Sequence, residues 1–466
     1  MPRGDLGKRV AYGRAAGFER DPVAADRPGG GSEEQHVAAH GPKGSMRGTM
    51  SEAARTTIDS PKAAIASLVA RLGPAAAALG AERVVLAETR GRVLAEPVLA
   101  DRDSPPVDCS AMDGYAVRLG DLSPDRDLPV LGEARAGGSP PPMPAGRGCI
   151  RVATGSARPA GADAVVPREH TVERLDARGE VSGIELKPDA APRSGDHWRL
   201  RGENARTGAL LVEVGAAVDA AVAATLAACG VARPLVRRKV RVTILTTGDE
   251  VVAVDQVPSP ERFRDSNGPA LAMLVAGRPW LEVARLGHLA DDAERMNAAL
   301  AHAIAGTDAV LLTGGVSMGH RDLVRGAVES LGAEIIFHRL PQRPGRPMLA
   351  AIASRDGLPV PIFGLPGNPL SALVTARRIV LPTLASIAGT RPPPPREVTV
   401  ADGPDAPVPL WRFRLARLDA DGRAQPLPVR SSGDVAVAGR SDGFLEIAPG
   451  DRIEAERRYP LFAWDG

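Results

Sequence analysis

Leu312-Thr313-Gly314-Gly315-Val316-Ser317-Met318-Gly319 and Gly364-Leu365-Pro366-Gly367-Asn368-Pro369-Leu370-Ser371 decide the reading of this chain. Each string leaves a short apolar run and enters a helical pattern, so each puts bare backbone at a helix N-terminus. Free N–H groups and the positive end of the helix dipole suit an anion there. Strand and helix signals alternate around the two turns. Strands are expected at 239–246, 281–286, 308–313, 334–338 and 360–363, and helices at 269–276, 291–304, 323–331 and from Pro369. That alternation predicts a doubly wound, mostly parallel α/β domain over 237–390, with ligands at the carboxyl ends of its strands. Both glycine turns fall at those ends.

Outward from this block the text changes. Residues 1–55 are rich in Gly, Arg, Asp and Glu without an apolar period and read as a disordered tail. Asp59-Ser60-Pro61 is a helix start, a capping residue followed by proline. Residues 56–100 and 209–236 read as a helical linking domain, the latter holding an alanine-rich helix that Gly230 ends. Between them, 101–208 has short apolar stretches and frequent Pro and Gly, which predicts a β-rich domain. Pro392 to Pro395 reads as a stiff linker. Beyond it, Trp411, Phe413 and Leu415 alternate with arginines, and Asp421-Gly422 signals a hairpin, so 391–466 is expected to be a small β-barrel domain.

Composition excludes several classes. Net charge is +2 over 466 residues and aromatics make up 3%, which argues against nucleic-acid binding by bulk charge or base-stacking platforms. Cys109, Cys149 and Cys229 are widely spaced and form no CxxC pair, so buried free thiols are expected rather than a zinc site or disulfides. The histidines lack metal-ligand spacing. No apolar run reaches the roughly 18 residues of a membrane helix, and no secretory h-region opens the chain. A soluble cytoplasmic protein is the expectation.

Four further segments carry chemistry. Thr246-Thr247-Gly248-Asp249-Glu250 ends the first strand of the α/β block with carboxylates beside an anion pocket. Mg²⁺, held by one or two carboxylates plus substrate phosphates, would reconcile the like charges; turn capping by Asp249 and Glu250 is the structural alternative. Asp322 follows the first glycine turn and is either a helix cap or a second metal ligand facing Glu250. Arg343-Pro344-Gly345-Arg346-Pro347 offers two guanidinium groups on a stiffened turn, suited to bidentate oxyanion binding. In the second glycine turn Gly367 permits close backbone approach, Asn368 caps, and Pro369 presets the first helical residue.

Together with Ser110-Ala111-Met112-Asp113-Gly114-Tyr115-Ala116-Val117, Thr154-Gly155, Gly161-Ala162-Asp163-Ala164-Val165 and Asp265-Ser266-Asn267, these strings resemble the molybdopterin molybdotransferases, the molybdenum-insertion enzymes that include the E domain of gephyrin. They occur in that family's order over roughly residues 57–450. The resemblance implies an elongated homodimer with sites built from both subunits. It also implies a Mg²⁺-dependent reaction in which molybdate meets adenylated molybdopterin, giving molybdenum cofactor and AMP. Asp113, Thr154, Glu250, Asp308 and Asp322 would act around the metal and pyrophosphate, with Glu250 and Asp322 as its ligands. Gly314, Gly315 and Ser317 would cradle pterin or phosphate, joined by Gly367 and Asn368. Arg343, Arg346, Pro366 and Ser371 would lie near molybdate, with Arg414 and Ser432 from the C-terminal domain. Molybdopterin adenylyltransferase and apo-molybdoenzymes are the protein partners that such a role implies, with no nucleic acid and no membrane.

Four positions depart from the family pattern. Arg343 and Arg346 stand where lysines are usual, Gly202-Glu203-Asn204 replaces Gly-Glu-Asp, and Gly268 replaces a common serine. Two other functions remain on this reading. One is a molybdopterin adenylyltransferase, which shares the α/β domain but not the upstream β-rich region. The other is a non-catalytic pterin-binding scaffold of the same fold.

Overall fold

Val240–Thr247, the β-branched run that opens the regular part of the chain, forms an inner strand of a six-stranded sheet. The computed structural model describes residues 58–123, 126–315, 323–391, 393–401 and 406–465; the expected tail, Ser317, Asp322 and Pro392 lie outside the described residues. Across the sheet the order is Leu281–Leu289, Val240–Thr247, Ala309–Thr313, Leu358–Leu365, Leu349–Arg355 and Glu334–His338. The first four run parallel, and Leu349–Arg355 pairs antiparallel with both neighbours. The sequence reading has no strand at Leu349–Arg355. The hairpin joining it to Leu358–Leu365 turns on Asp356 and Gly357, both at positive φ (53° and 80°), the Asp-Gly step that two-residue hairpins favour.

Both faces of the sheet are covered, as a parallel sheet requires. Val240, Val242 and Ile244 point to a core shared with Leu271, Ile379 and Leu384, and the alternate residues Leu245, Val310 and Leu312 pack on Met296, Leu300 and Val324. The helices Pro61–Val69 and Gly73–Ala78 join the first of these cores through Ala64 and Leu68, with Leu72 between them. Their apolar stripe therefore finds its cover on the α/β sheet rather than in a separate linking unit. Ser60 caps the first of them, its Oγ accepting from Ala63 N at 3.1 Å.

The linking unit consists of Ala81–Arg83 paired with Leu235–Arg237, Val98–Leu99 paired with Leu210–Val212, and the helix Ala220–Ala228, around Leu94, Leu226 and Val236. A second six-stranded sheet, containing Gly114–Val117, Cys149–Val152 and Ala164–Pro167, makes the β-rich region. In the C-terminal region Trp411–Leu418, Gly443–Ile447, Arg458–Ala463 and Arg396–Thr399 follow one another in a sheet, with Ala424–Pro426 paired to the first. A bridge from Val400 to Ala424 closes this sheet into a small barrel. Val398, Ala416, Leu445 and Leu461 are among its core residues, while Phe413, Phe444 and Phe462 pack outside with Leu370 and Val374 of the helix Pro369–Thr375. Gln342–Arg343, from the arginine turn, adds to the barrel's Trp411–Leu418 strand in parallel. The turn is thereby fixed to the C-terminal domain.

One helical stretch, Pro369–Ala388, is long and apolar enough to cross a membrane, which the sequence reading does not register. It is 83% buried within the fold. A helix apolar on all sides is what a core position demands, and its two arginines are buried too, Arg378 pairing with Glu446 at 2.5 Å.

Candidate active site at the carboxyl edge of the α/β sheet

Thr247, Thr313, Leu365 and Leu289 end their parallel strands at one edge, so the chain must turn there four times. Thr247 Oγ1 donates to Thr313 O at 3.0 Å, and Gly314 N donates to Leu365 O at 3.2 Å, which welds the strand ends together. Gly314 sits at φ +90°, and a Cβ there would lie 2.5 Å from Thr247 Oγ1. The first glycine turn therefore needs glycine for both conformation and space. Asn267 Nδ2 donates to Gly367 O at 2.8 Å and ties the second turn to the helix Asn267–Ala276.

These turns wall a cavity of about 850 Å³ lined by Glu250, Asp265, Asn267, Gly314, Gly315, Pro366, Gly367 and Asn368, among others. Glu250 is exposed and its carboxylate has no hydrogen bond or ion pair among the described residues; it folds over Gly248, whose added Cβ would lie 2.8 Å from its oxygens. Asp249 turns away instead and accepts from Asp291 N at 3.1 Å. Asp265 Oδ2 accepts from Thr246 Oγ1 at 2.9 Å, and its Oδ1 accepts from Gly268 N at 2.9 Å. Asp265 thus supplies the side-chain bond at the start of this helix, which Ser266 just before it does not. A Cβ on Gly268 would lie 2.7 Å from Asp265 Oδ2.

A second cavity, about 490 Å³, opens between the sheet edge and the C-terminal barrel. Arg343, Arg346, Arg412, Arg414 and Arg430 line it with Ser371 and Ser432, and no carboxylate is among its described lining residues. Such a cavity recruits a multiply charged anion. Asn368 caps nothing with its side chain. Its Nδ2 donates to Ser432 Oγ at 2.8 Å, while Leu370 N donates to Ser432 O at 3.2 Å, so the second glycine turn is clipped to the barrel. Gln342 holds the arginine turn from beneath, its Nε2 donating to Gly345 O at 3.1 Å. The two cavities share Pro347, Pro366 and Asn368.

Three expected residues lie elsewhere in the chain. Asp113 Oδ1 accepts from Thr154 N at 2.7 Å and from Thr154 Oγ1 at 2.8 Å, in the β-rich region. Those two bonds hold the Asp113 carboxyl below its ordinary pKa. Neither residue lines either cavity. Asp308 requires a correction. It precedes Ala309–Thr313 at the amino end of the strand, roughly 20 Å from Gly314 at 3.3 Å per residue. There it accepts from Arg238 at 2.6 and 3.0 Å, from Arg241 N at 2.9 Å and from Arg355 at 3.3 Å. It is the anchor of an ion cluster remote from the site.

The sequence reading missed Thr246, Asp265, Asn267, Phe263, Gln342, Arg412 and Arg430 as cavity residues. Asp265-Ser266-Asn267 was legible as a string, and Asp265 three residues before Gly268 is a capping spacing. Arg412 alternates with buried Phe413 and is itself 4% exposed, its guanidinium donating to Ala406 O and Asp451 O within the barrel domain.

A cavity edged by carboxylates thus adjoins a cationic one, on a doubly wound sheet seated against a small barrel. Residues 56–230 match the family model "MoeA N-terminal region (domain I and II)", and 243–386 match "Probable molybdopterin binding domain". The molybdopterin molybdenumtransferase of Synechococcus elongatus is 36% identical over 366 residues, covering 76% of this chain and 87% of that protein. Molybdopterin molybdenumtransferase 1 of Mycobacterium tuberculosis is 32% identical over 351 residues, covering 71% and 79%. The crystal structure of the molybdopterin biosynthesis moeA protein from Pyrococcus horikosii aligns with a TM-score of 0.70 at 27% identity, over 88% of this chain and all of that one. The chain belongs to the molybdopterin molybdenumtransferase family.

Proposed function

We propose that this protein transfers molybdate into adenylated molybdopterin and releases AMP, in a Mg²⁺-dependent reaction. The observation that carries the proposal is the pair of adjoining cavities with opposite chemistry, sharing the wall of Pro347, Pro366 and Asn368. The larger one has the size and the bare backbone turns for a pterin nucleotide. The smaller one has arginines and serines for a tetrahedral dianion. Their common wall brings the oxyanion beside the pterin end of the nucleotide, and holding both reactants in place supplies the proximity that the transfer needs.

The donor set fits Mg²⁺. Glu250 presents an uncommitted carboxylate to a cavity that Asp265 also lines, all-oxygen ligation of the kind the ion takes alongside substrate phosphates. When bound, the ion would neutralise pyrophosphate oxygens and lower the pKa of a water. Glu250 and Asp322 are the proposed ligands. Gly314 and Gly315 keep the turn free of side chains, so that phosphate oxygens can approach its backbone. Arg343, Arg346 and Arg414 orient the oxyanion, and Ser371 and Ser432 offer it hydroxyl donors. Asp113 and Thr154, absent from both cavities, are proposed to complete the site from a second copy of the chain.

The test is purified protein with adenylated molybdopterin, Mg²⁺ and molybdate. AMP should appear in step with molybdate uptake and stop when the metal is chelated. AMP release no faster than without protein overturns the proposal.

A further inference from the structure

Phe263 is placed unlike every other described phenylalanine. Phe337, Phe363, Phe413, Phe444 and Phe462 are buried, at 0–9% exposure, whereas Phe263 is 66% exposed. Its short strand, Phe263–Arg264, pairs in parallel with Val251–Val252, and its N–H donates to Glu250 O at 2.8 Å. Asp265 N donates to Val252 O at 2.8 Å on the other side. The backbone therefore places Phe263 at the rim of the larger cavity, next to Glu250, and it is the single aromatic among that cavity's described lining residues. An exposed aromatic side chain at a cavity mouth offers a flat apolar face that a ligand can cover.

We propose that Phe263 stacks on a fused heteroaromatic ring of the nucleotide substrate. Adenine and pterin both carry such a ring. The proposal rests on the reading of the larger cavity as the nucleotide site and adds the residue that covers the ring.

The experiment is calorimetric titration of the full chain in Mg²⁺ with AMP, with molybdopterin lacking its nucleotide, and with ribose 5-phosphate, which has no ring system. Phe263→Ala should weaken one ring-bearing ligand by about tenfold or more, the scale of an aromatic stack, and Phe263→Trp should restore it. Ribose 5-phosphate binding should not change. Loss confined to AMP assigns the stack to adenine, and loss confined to molybdopterin assigns it to the pterin. Unaltered binding of both ring ligands to Phe263→Ala overturns the proposal while leaving the cavity reading intact; so does an equal loss for ribose 5-phosphate. Wild-type protein that binds neither ring ligand overturns both. Because Phe263 is exposed, the variants keep the fold.

Discussion

Replacing Asp308 separates a structural anchor from a catalytic one. The family resemblance puts Asp308 around the metal and pyrophosphate, while the structure puts it at the opposite end of its strand. Asp308→Ala removes an acceptor whose side chain is 10% exposed and leaves Arg238 and Arg355 without their common partner. Breaking a buried ion cluster by deleting one member costs about 3–5 kcal/mol. The arginines left behind are 35% and 24% exposed and keep bonds to Lys239 O and Thr307 O, so the low end, roughly 3 kcal/mol, is the expected cost. For a domain of this size that lowers the unfolding transition by roughly 6–12 °C. Burial alone would raise the Asp308 pKa, but bonds from Arg238, Arg241 N and Arg355 outweigh it and hold the carboxyl below its ordinary value. Its stabilisation is therefore full above the unfolded pKa of about 3.9 and is lost as the pH falls through the lower folded value. Calorimetric scans of wild type and Asp308→Asn should stay apart from neutral pH down to about 4 and converge below it. AMP release per folded molecule, assayed well below the transition, should match wild type. A variant with unchanged melting and AMP release lost by tenfold or more would refute this placement and restore the catalytic one.

Gly345→Ala should strike the oxyanion cavity selectively. Gly345 is at φ +93°, and a Cβ there would lie 2.3 Å from Thr375 Cγ2 and 2.9 Å from Gln342 Nε2; left-handed strain alone costs on the order of 1–3 kcal/mol, so molybdate affinity should fall by at least fivefold while AMP affinity holds, as equilibrium binding of each would show. Glu250→Gln keeps the size of an uncommitted side chain and removes its charge, so the Mg²⁺ concentration for half-maximal AMP release should rise about tenfold or more, the scale of losing one carboxylate contact to the ion; an unchanged Mg²⁺ profile would remove Glu250 from the metal site.

What could be read in the chain, and what could not, follows from the range of the forces involved. The doubly wound sheet was legible because strand, glycine turn and helix are consecutive: Thr313 to Gly315 and Leu365 to Pro369 carry their own geometry. Ser60 was legible as a cap for the same reason. Leu349–Arg355 was missed because a run buried on both faces has no alternation to separate it from a helix. Arg412 was not singled out because its partners, the carbonyls of Ala406 and Asp451, are brought to it by the closure of its own barrel. Asn368 was expected to cap its own helix, and no local rule could anticipate Ser432, 64 positions away, as its partner. Asp308 was assigned by resemblance of position alone. Its chemistry as a carboxylate was right, but the strand that follows it carries it away from the site.

The seam between the sheet edge and the barrel explains why the two cavities can cooperate. A strand end delivers a turn but cannot enclose an anion, since one side of it always faces solvent. Here the Gln342–Arg343 strand is spent in the barrel's sheet, and Asn368 is bonded to Ser432, so the arginine turn and the second glycine turn are each fixed to the same neighbouring domain. A rigid-body shift of the barrel would move both turns together and change the shared wall at Pro347, Pro366 and Asn368. The spacing between oxyanion and nucleotide is therefore set by one domain contact rather than by independently flexing loops.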